Sequence, residues 1–274
     1  MKPTNFRSLI IIIFLISICF SCKKENAAVN TNNDVAETLP PVQTAVSTDV
    51  NANCAGFYKA LPARYDSTTK KYPLLVFLHG SGEMGNGTTD LPNVLNNAVP
   101  YLIKNKLFPA NFISGNKNYS FIVISPQFKA WPAPSDVDAV INYSIKNFRI
   151  DETRIYVTGL SMGGGATWEY AAINAGKIAA IVPICGASAP NASKAKNMAD
   201  ANLPVWAFHN EDDPTVSVNS TKDYINMINS FNPSPPAKMT IWPTGGHNAW
   251  TKASDLAYKE DNLNMYEWML QYHR

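Results

Sequence analysis

The chain has 274 residues, of which 46% are apolar and 16% are charged, and its formal net charge is +2. A chain of this length and composition can bury a full core as one large domain. So small a net charge excludes a basic field for holding nucleic acid, and it favours a small or neutral partner.

The chain begins with a segment typical of exported proteins. Two basic residues precede an apolar run of twelve residues, Leu9 to Phe20. A helix needs about 20 residues to span a bilayer, so this run is too short, and it fits the apolar core of a signal peptide. Residues 1–21 are therefore predicted to be a signal peptide that resembles a bacterial lipoprotein signal, with Cys22 as the lipidated residue on the outer membrane or cell surface. The alternative is an ordinary secretory signal cut near Ser21, which leaves the protein periplasmic or secreted.

The next segment has the composition of a linker. Residues 22–53 are predicted to comprise the lipidated cysteine and a flexible tether, because the stretch is rich in Asn, Thr, Ala and Val and shows no sustained period. The catalytic domain is predicted to occupy residues 54–274. Its two cysteines, Cys54 and Cys185, are expected to be independent thiols, and no pattern of Cys or His indicates a metal site.

Short apolar runs alternate with helical patterns through this domain. Six runs have the length of strands buried on both faces, as in a parallel sheet: Leu74–Leu78, Phe121–Ile124, Ile155–Val157, Ile178–Ile184, Val205–Phe208 and Met239–Trp242. Phe57–Leu61 is predicted to be a short edge strand before them. Helices are predicted from a cap at Ser135, after Ser161, and from Leu263 to Tyr272. This alternation predicts an α/β fold, in which a mostly parallel central sheet flanked by helices forms a single domain.

One serine lies directly after the third of these runs. Gly159-Leu160-Ser161-Met162-Gly163 matches the Gly-x-Ser-x-Gly nucleophile elbow, a turn between a strand and a helix. The residues beside the serine must be small because the turn is tight, and the strained backbone exposes the serine oxygen. Ser161 is therefore predicted to be a nucleophile, and a plain glycine-rich turn is the alternative.

A serine hydroxyl becomes an effective nucleophile when a base removes its proton, so a histidine is required. Of the four histidines, His273 is next to the end of the chain, while His79 and His209 stand at strand ends where the backbone can satisfy them. His247 follows two glycines after the last strand, in a loop that can reach back over the serine. It is the predicted base, and a surface-loop histidine is the alternative.

The imidazole of such a base is oriented by an acid. The turn after Phe208 offers Glu211, Asp212 and Asp213. Asp213 is preferred because Pro214 stiffens the turn just after it, and Asp212 remains a competitor. The chain order serine, aspartate, histidine is that of the α/β-hydrolases.

From about Phe57 onward the chain resembles α/β-hydrolases of the secreted esterase group, which includes dienelactone-hydrolase-like, feruloyl-esterase-like and polyhydroxybutyrate-depolymerase-like members. The resemblance is carried by residues 72–80, the elbow, the turn from His209 to Val216, and residues 246–250. It implies that the acid is Asp213, four residues after His209, although the family usually has glycine where this chain has Asn210. It also implies a serine carboxylic-ester hydrolase that needs no cofactor and acts on small or polysaccharide-linked acyl or feruloyl esters.

A tetrahedral intermediate carries an oxyanion, which backbone N–H groups can bind. The expected donors are Met162, directly after the nucleophile, and Ser81 in the glycine-rich loop after Leu78, with Gly82 as the alternative to Ser81. Three further residues at strand and loop ends are candidates for contacting the substrate: Trp131, Trp250 and Gln127.

Two other functions remain compatible with the sequence. A serine peptidase of the same fold uses the same three side chains, although no propeller-like domain is present to sieve peptides. A binding lipoprotein on a hydrolase scaffold that has lost its chemistry is the other alternative, because fold alone does not determine function.

Overall fold

The computed structural model describes Met1 and residues 36–274. Ten strands are found there: β1 Val42–Asn51, β2 Cys54–Leu61, β3 Tyr72–Leu78, β4 Phe112–Ser114, β5 Lys117–Tyr119, β6 Ile122–Phe128, β7 Ile150–Leu160, β8 Ala180–Ile184, β9 Trp206–Asn210 and β10 Lys238–Trp242. Seven α-helices accompany them: α1 Ala98–Lys104, α2 Pro134–Asn147, α3 Met162–Asn174, α4 Ala192–Asp200, α5 Val218–Ser230, α6 Trp250–Ser254 and α7 Met265–Met269. The predicted signal peptide and the predicted lipidation site at Cys22 lie outside the described residues.

Eight of these strands form one mixed sheet. Its order is β1-β2-β6-β3-β7-β8-β9-β10. β2 pairs antiparallel with both of its neighbours, β1 and β6. Every following pair along the sheet, from β6 to β10, is parallel. The carboxyl ends of the parallel strands therefore meet at one edge of the sheet, where ligands bind in open α/β folds. The predicted α/β fold with a mostly parallel sheet flanked by helices is confirmed.

The central strands of the sheet are buried on both faces, as the unbroken apolar runs predict. On β3, Leu74 and Val76 belong to a core cluster shared with α2 and α3, while Leu75 and Phe77 belong to a second cluster on the opposite face. All seven residues of β3 are buried. Alternate side chains of one strand thus fill two separate cores, and no position of the strand is left for a polar residue.

The tether prediction is wrong for its second half. Val42–Asn51 forms the outermost strand β1, so the folded domain begins before residue 54, and β2 lies inside the sheet edge rather than at it. Only Val46 and Val50 of β1 pack against the core, and most of its other side chains are exposed. A half-exposed edge strand of this kind has little apolar content, which is why its composition resembled a linker.

Two smaller features complete the fold. Cys54 and Cys185 are both buried free thiols, as expected. Burial raises the pKa of Cys54 to about 11 and that of Cys185 to about 12, so both are protonated at neutral pH. Within residues 36–274, none of the helices has the length and apolar content needed to cross a membrane.

Candidate active site

Ser161 lies on the tight turn between β7 and α3, at the carboxyl edge of the sheet. Its backbone adopts φ 52° and ψ −115°, a conformation that residues with a Cβ rarely adopt. The turn is possible because Gly163 packs directly on β3: a Cβ built there would lie 2.0 Å from the carbonyl oxygen of Leu78. A Cβ on Gly159 would lie 2.6 Å from the backbone of Gly163. Both predicted glycines of the elbow are thus required by close backbone contacts.

The structure brings together the three side chains predicted to act as nucleophile, base and acid. The Ser161 hydroxyl lies 2.8 Å from Nε2 of His247, and Nδ1 of His247 lies 2.7 Å from Oδ2 of Asp213. Because an ionised carboxylate only accepts hydrogen bonds, Nδ1–H donates to Asp213 and Nε2 accepts from the serine. This is the arrangement in which the histidine can take the serine proton.

Asp213 is held as an ionised carboxylate. Its side chain is fully buried, and its Oδ1 accepts hydrogen bonds from the N–H groups of Thr215 at 2.8 Å and Val216 at 3.0 Å. Burial by itself would raise its pKa, but the hydrogen bonds from His247, Val216 and Thr215 outweigh burial and leave the pKa of Asp213 below its usual range. The turn around Pro214 therefore supplies a permanent negative charge to the histidine.

Asp212, the competing carboxylate, has a different position. It accepts from Gly246 N–H at 2.8 Å and from Gly245 N–H at 3.3 Å, so it holds the loop that carries the histidine. Asn210 assists by donating to the Gly246 carbonyl at 2.9 Å. Asn210 stands where the resembled family usually has glycine, and its side chain packs against Gly245, which has φ 146°. The departure from the family pattern thus fixes the histidine loop.

A second histidine also contacts the acid. His209 is fully buried, and its Nε2 lies 3.1 Å from Asp213 Oδ2 and 3.0 Å from the Val216 carbonyl, while its Nδ1 lies 2.8 Å from the Thr221 hydroxyl. Burial lowers its pKa, so the ring is neutral and carries its proton on Nε2, facing two acceptors. His209 thus supports Asp213 and does not reach the serine, as its position at a strand end indicated.

The loop after β3 lies against the nucleophile. A Cβ on Gly80 would be 3.8 Å from the Ser161 Cβ. Ser81 begins a short 3-10 turn and Met162 begins α3, so the N–H groups of both residues have no acceptor within their own helical turn. These are the two predicted oxyanion donors; Met162 directly follows the serine in the chain, and Ser81 lines the same cavity as the serine.

A polar network that was not predicted from the sequence lies beside the nucleophile. Buried Glu83 accepts from the Gly80 N–H at 2.7 Å and from the Asn97 side-chain amide, and Asn97 Oδ1 accepts from Trp250 Nε1 at 3.0 Å. The Trp250 ring lies edge-on to His247, with ring centroids 5.4 Å apart. Burial raises the pKa of Glu83, although its hydrogen bonds from Asn97 and Gly80 oppose the shift. Polar loop residues follow no sequence period, so the network as a whole leaves no pattern in the sequence. The one local signal is a glutamate three residues after Gly80, a spacing at which a carboxylate can accept from the earlier backbone N–H.

These groups surround a catalytic cavity of about 270 Å³ that opens over Ser161. Besides the oxyanion loop, the serine and the histidine, its wall contains Asn96, Asn97, Leu160, Thr215 and Trp250. Trp250 therefore lies where it was predicted to contact substrate.

One further predicted substrate contact is wrong, and another stays a prediction. Gln127 is fully buried and holds the loop after Glu83, donating to the carbonyls of Glu83 at 2.8 Å and Asp90 at 2.7 Å. Trp131 is 50% exposed and does not line the cavity. Just before Trp131, Lys129 N–H donates to the Asn53 carbonyl at 2.9 Å, which holds the chain after β6 against the β1–β2 hairpin.

Among the described residues, three side chains of the types that bind metal ions lie close together. Donor atoms of Cys185, Asp213 and His247 lie within 4.8 Å of one another. The Cys185 thiol is protonated at neutral pH, which makes it a poor ligand, and the other two residues already share a hydrogen bond. Hydrogen bonding of the acid to the base accounts for this grouping.

His79 predicts an acid-sensitive contribution to stability. It is buried, its Nδ1 lies 2.6 Å from the Gly80 carbonyl, and its Nε2 accepts from Phe128 N–H at 3.0 Å. A proton on Nε2 would face that N–H. Burial therefore lowers the pKa of His79 to about 4, against the opposing effect of the Gly80 hydrogen bond.

Because the unfolded chain has a histidine pKa of about 6.5, His79 stabilises the fold fully above that pH, and this contribution is lost as the pH falls toward 4. We expect the free energy of unfolding to fall by roughly 3 kcal/mol from this residue between pH 7 and pH 4. Urea unfolding at several pH values measures the effect, and His79→Gln should show a smaller pH dependence. His209 contributes equally to the pH dependence of the parent and of His79→Gln, so its contribution cancels in the comparison. An identical pH dependence of the free energy of unfolding in the two proteins would contradict this prediction.

The sheet, the strained serine turn and the histidine loop together place the protein among the α/β-hydrolases. Within that fold class the chain belongs to the phospholipase/carboxylesterase family, whose sequence pattern matches residues 65–259, well over half of the chain.

Several known proteins are similar to this chain in sequence or in fold. Part of the chain is 30% identical over 109 residues to a bifunctional acetylxylan esterase/xylanase of Neocallimastix patriciarum, a match that spans 39% of this chain and 16% of that protein. Among solved structures, a thermostable esterase superposes with a TM-score of 0.60 at 23% identity, covering 85% of this chain and 63% of that one. A serine-to-alanine mutant of the feruloyl esterase module from Clostridium thermocellum, complexed with sinapinate, gives 0.58 at 18% identity, covering 90% and 93%. At these identities the structures establish the fold, and the family supports a carboxylic ester hydrolase.

Proposed function

We propose that the protein hydrolyses carboxylic esters through an acyl-enzyme formed on Ser161. The observation that carries this proposal is the hydrogen-bonded relay from Ser161 through His247 to Asp213, with distances of 2.8 Å and 2.7 Å. These distances are within the range in which a histidine acts as a general base toward a serine.

In the first half of the reaction, Ser161 Oγ attacks the ester carbonyl carbon and its proton passes to His247 Nε2. The carbonyl oxygen becomes an oxyanion, which accepts hydrogen bonds from the N–H groups of Met162 and Ser81. When the tetrahedral intermediate collapses, the alcohol leaves with the proton from His247, and the acyl group remains on Ser161.

In the second half, water attacks the acyl carbonyl and gives a proton to the same nitrogen of His247. Collapse of the second intermediate releases the acid and returns the proton to Ser161 Oγ. Asp213 balances the charge of the imidazolium in both halves, and Asp212 keeps the histidine loop in place. All proton transfers in this scheme use groups of the chain itself, so the mechanism calls for no cofactor.

We infer that the substrates are acyl or feruloyl esters, including esters carried by polysaccharides. The support comes from the names of similar proteins, an acetylxylan esterase/xylanase and a feruloyl esterase module. The polar wall of the catalytic cavity, with Glu83, Asn96 and Asn97, agrees with an ester that bears neighbouring hydroxyl groups.

A panel of matched esters and amides tests the function. p-Nitrophenyl acetate should be hydrolysed with an initial burst of one p-nitrophenolate per protein, because acylation by this activated ester outpaces deacylation. Methyl ferulate and acetylated xylan should also be cleaved. p-Nitroacetanilide, the amide counterpart of p-nitrophenyl acetate, should be cleaved much more slowly than that ester. An anilide cleaved as fast as the ester would point to a peptidase, and binding without turnover of any member would point to a binding protein.

A further inference from the structure

A second cavity lies beside the catalytic one. It has a volume of about 370 Å³ and runs between α1 and α6. Asn96 and Asn97 line both cavities, so the two adjoin and share this pair of residues as a common wall. Their combined space lies in the range of small-molecule sites, which is about 300–1,000 Å³.

The two cavities differ in the chemistry of their walls. The second one is lined on the α1 side by Ala98, Tyr101, Leu102 and Leu107. Tyr101 is 44% exposed and Leu107 is 54% exposed, which leaves large apolar surfaces in contact with water next to the reaction centre. Covering such surfaces with an apolar group is favourable by the hydrophobic effect.

The partition between the cavities is fixed. The amide nitrogen of Asn97 donates to Glu83, and its oxygen accepts from Trp250. Both ends of the Asn97 side chain are thus engaged, and a ligand that occupies both cavities has to pass over this side chain.

The walls also disfavour a negatively charged ligand. Among the described residues, no lysine or arginine lines either cavity, while Glu83 and Asp255 do. A carboxylate or phosphate group would meet negative charge without a compensating cation, so the walls disfavour an anion, and the apolar side chains on the α1 side favour an uncharged group over a cation.

We propose that the second cavity binds an uncharged alkyl or aryl group of the ester substrate, which reaches it from Ser161 over Asn97. This inference rests on the proposed esterase function and extends it: the substrate has a polar part at the serine and an apolar part between α1 and α6. The apolar part belongs to either the acyl or the alcohol moiety, and these two sources share the same binding chemistry.

Two series of esters test the proposal with the full-length protein. One lengthens the acyl chain of p-nitrophenyl esters from acetate to octanoate, and the other lengthens the alcohol of alkyl acetates from methyl to hexyl. In one series, kcat/KM should rise about 3- to 4-fold for each added methylene until the cavity is filled. The series that rises identifies the moiety that binds there.

Variants then assign the effect to this cavity. Thr251 is exposed on its rim, so Thr251→Trp fills the space from the surface and should abolish the rise. Leu107→Ala should lower the ratio of kcat/KM between the longest ester and the acetate about tenfold. Ile113→Ala removes an apolar side chain that is 63% exposed and lines neither cavity, and it should keep the parent ratio.

Failure has two distinguishable forms. A parent protein that cleaves acetates but shows no length dependence in either series, or a rise that persists in Thr251→Trp, overturns the second binding site and leaves the esterase function in place. A parent that cleaves no ester of either series overturns the proposed function and this inference with it.

Discussion

Replacement of Ser161 by alanine is expected to lower kcat toward an ester substrate by about 10⁶-fold, the loss typical when a triad nucleophile is removed. The variant keeps the Cβ at this strained position, so the backbone strain at φ 52° is the same in both proteins. It loses one hydrogen bond to His247, which is worth about 1 kcal/mol. The fold should therefore survive, and the loss of rate should come from the missing oxygen alone.

The kinetic comparison needs a matched check of folding. Thermal unfolding of parent and Ser161→Ala should agree to within a few degrees, since a change of about 1 kcal/mol moves the midpoint only slightly. A variant that retains a tenth or more of the parent rate would show that another group is the nucleophile.

The second large effect concerns the acid. Asp213→Asn is expected to lower kcat about 10⁴-fold. The asparagine oxygen can still accept from Thr215 and Val216, but its NH₂ group then faces Nδ1 of His247, which must become an acceptor. The proton of the ring moves to Nε2, and that nitrogen can no longer take the proton of Ser161. His209 Nε2–H loses Asp213 Oδ2 as an acceptor but keeps the Val216 carbonyl, so we expect the geometry to be largely preserved while the tautomer of His247 is wrong.

Asp212→Asn is the matched control for this prediction, because the two aspartates are neighbours in sequence. The Asp212 carboxylate accepts hydrogen bonds from Gly246 on Oδ1 and from Gly245 on Oδ2; an asparagine oxygen can keep the shorter bond from Gly246, while its NH₂ group loses the longer one from Gly245. We expect a loss of less than about tenfold, consistent with a weakened hydrogen bond in the histidine loop. Steady-state kinetics of both variants decide the assignment, and a larger loss in Asp212→Asn would reverse the roles of the two residues.

The parts of the fold that the sequence predicts well are those with strong local physics. β3 was visible as a continuous apolar run because it is buried on both faces. The turn at Ser161 was visible because only glycine at positions 159 and 163 avoids backbone collision. β1 was not visible, since it packs only Val46 and Val50 against the core and looks like a linker in composition.

The site shows a similar division. The chain order of serine, aspartate and histidine was enough to bring the correct side chains together, although choosing between Asp212 and Asp213 also relied on a stiff turn. Glu83 and Asn97 were missed because their importance arises from a hydrogen bond across 14 residues of loop. Gln127 was misjudged because a buried glutamine can serve either a ligand or a loop, and only its partners show that it holds the loop.

Covalent labelling of the full-length protein by an alkyl fluorophosphonate, followed by peptide mass mapping, shows whether Ser161 is the nucleophile. Ser161 Oγ would attack phosphorus and fluoride would leave, which traps an analogue of the tetrahedral intermediate. We expect one stoichiometric adduct on the peptide that contains Ser161, its absence in Ser161→Ala, and much slower labelling in His247→Ala. An adduct on a different residue, or labelling of Ser161→Ala at the parent rate, would contradict it.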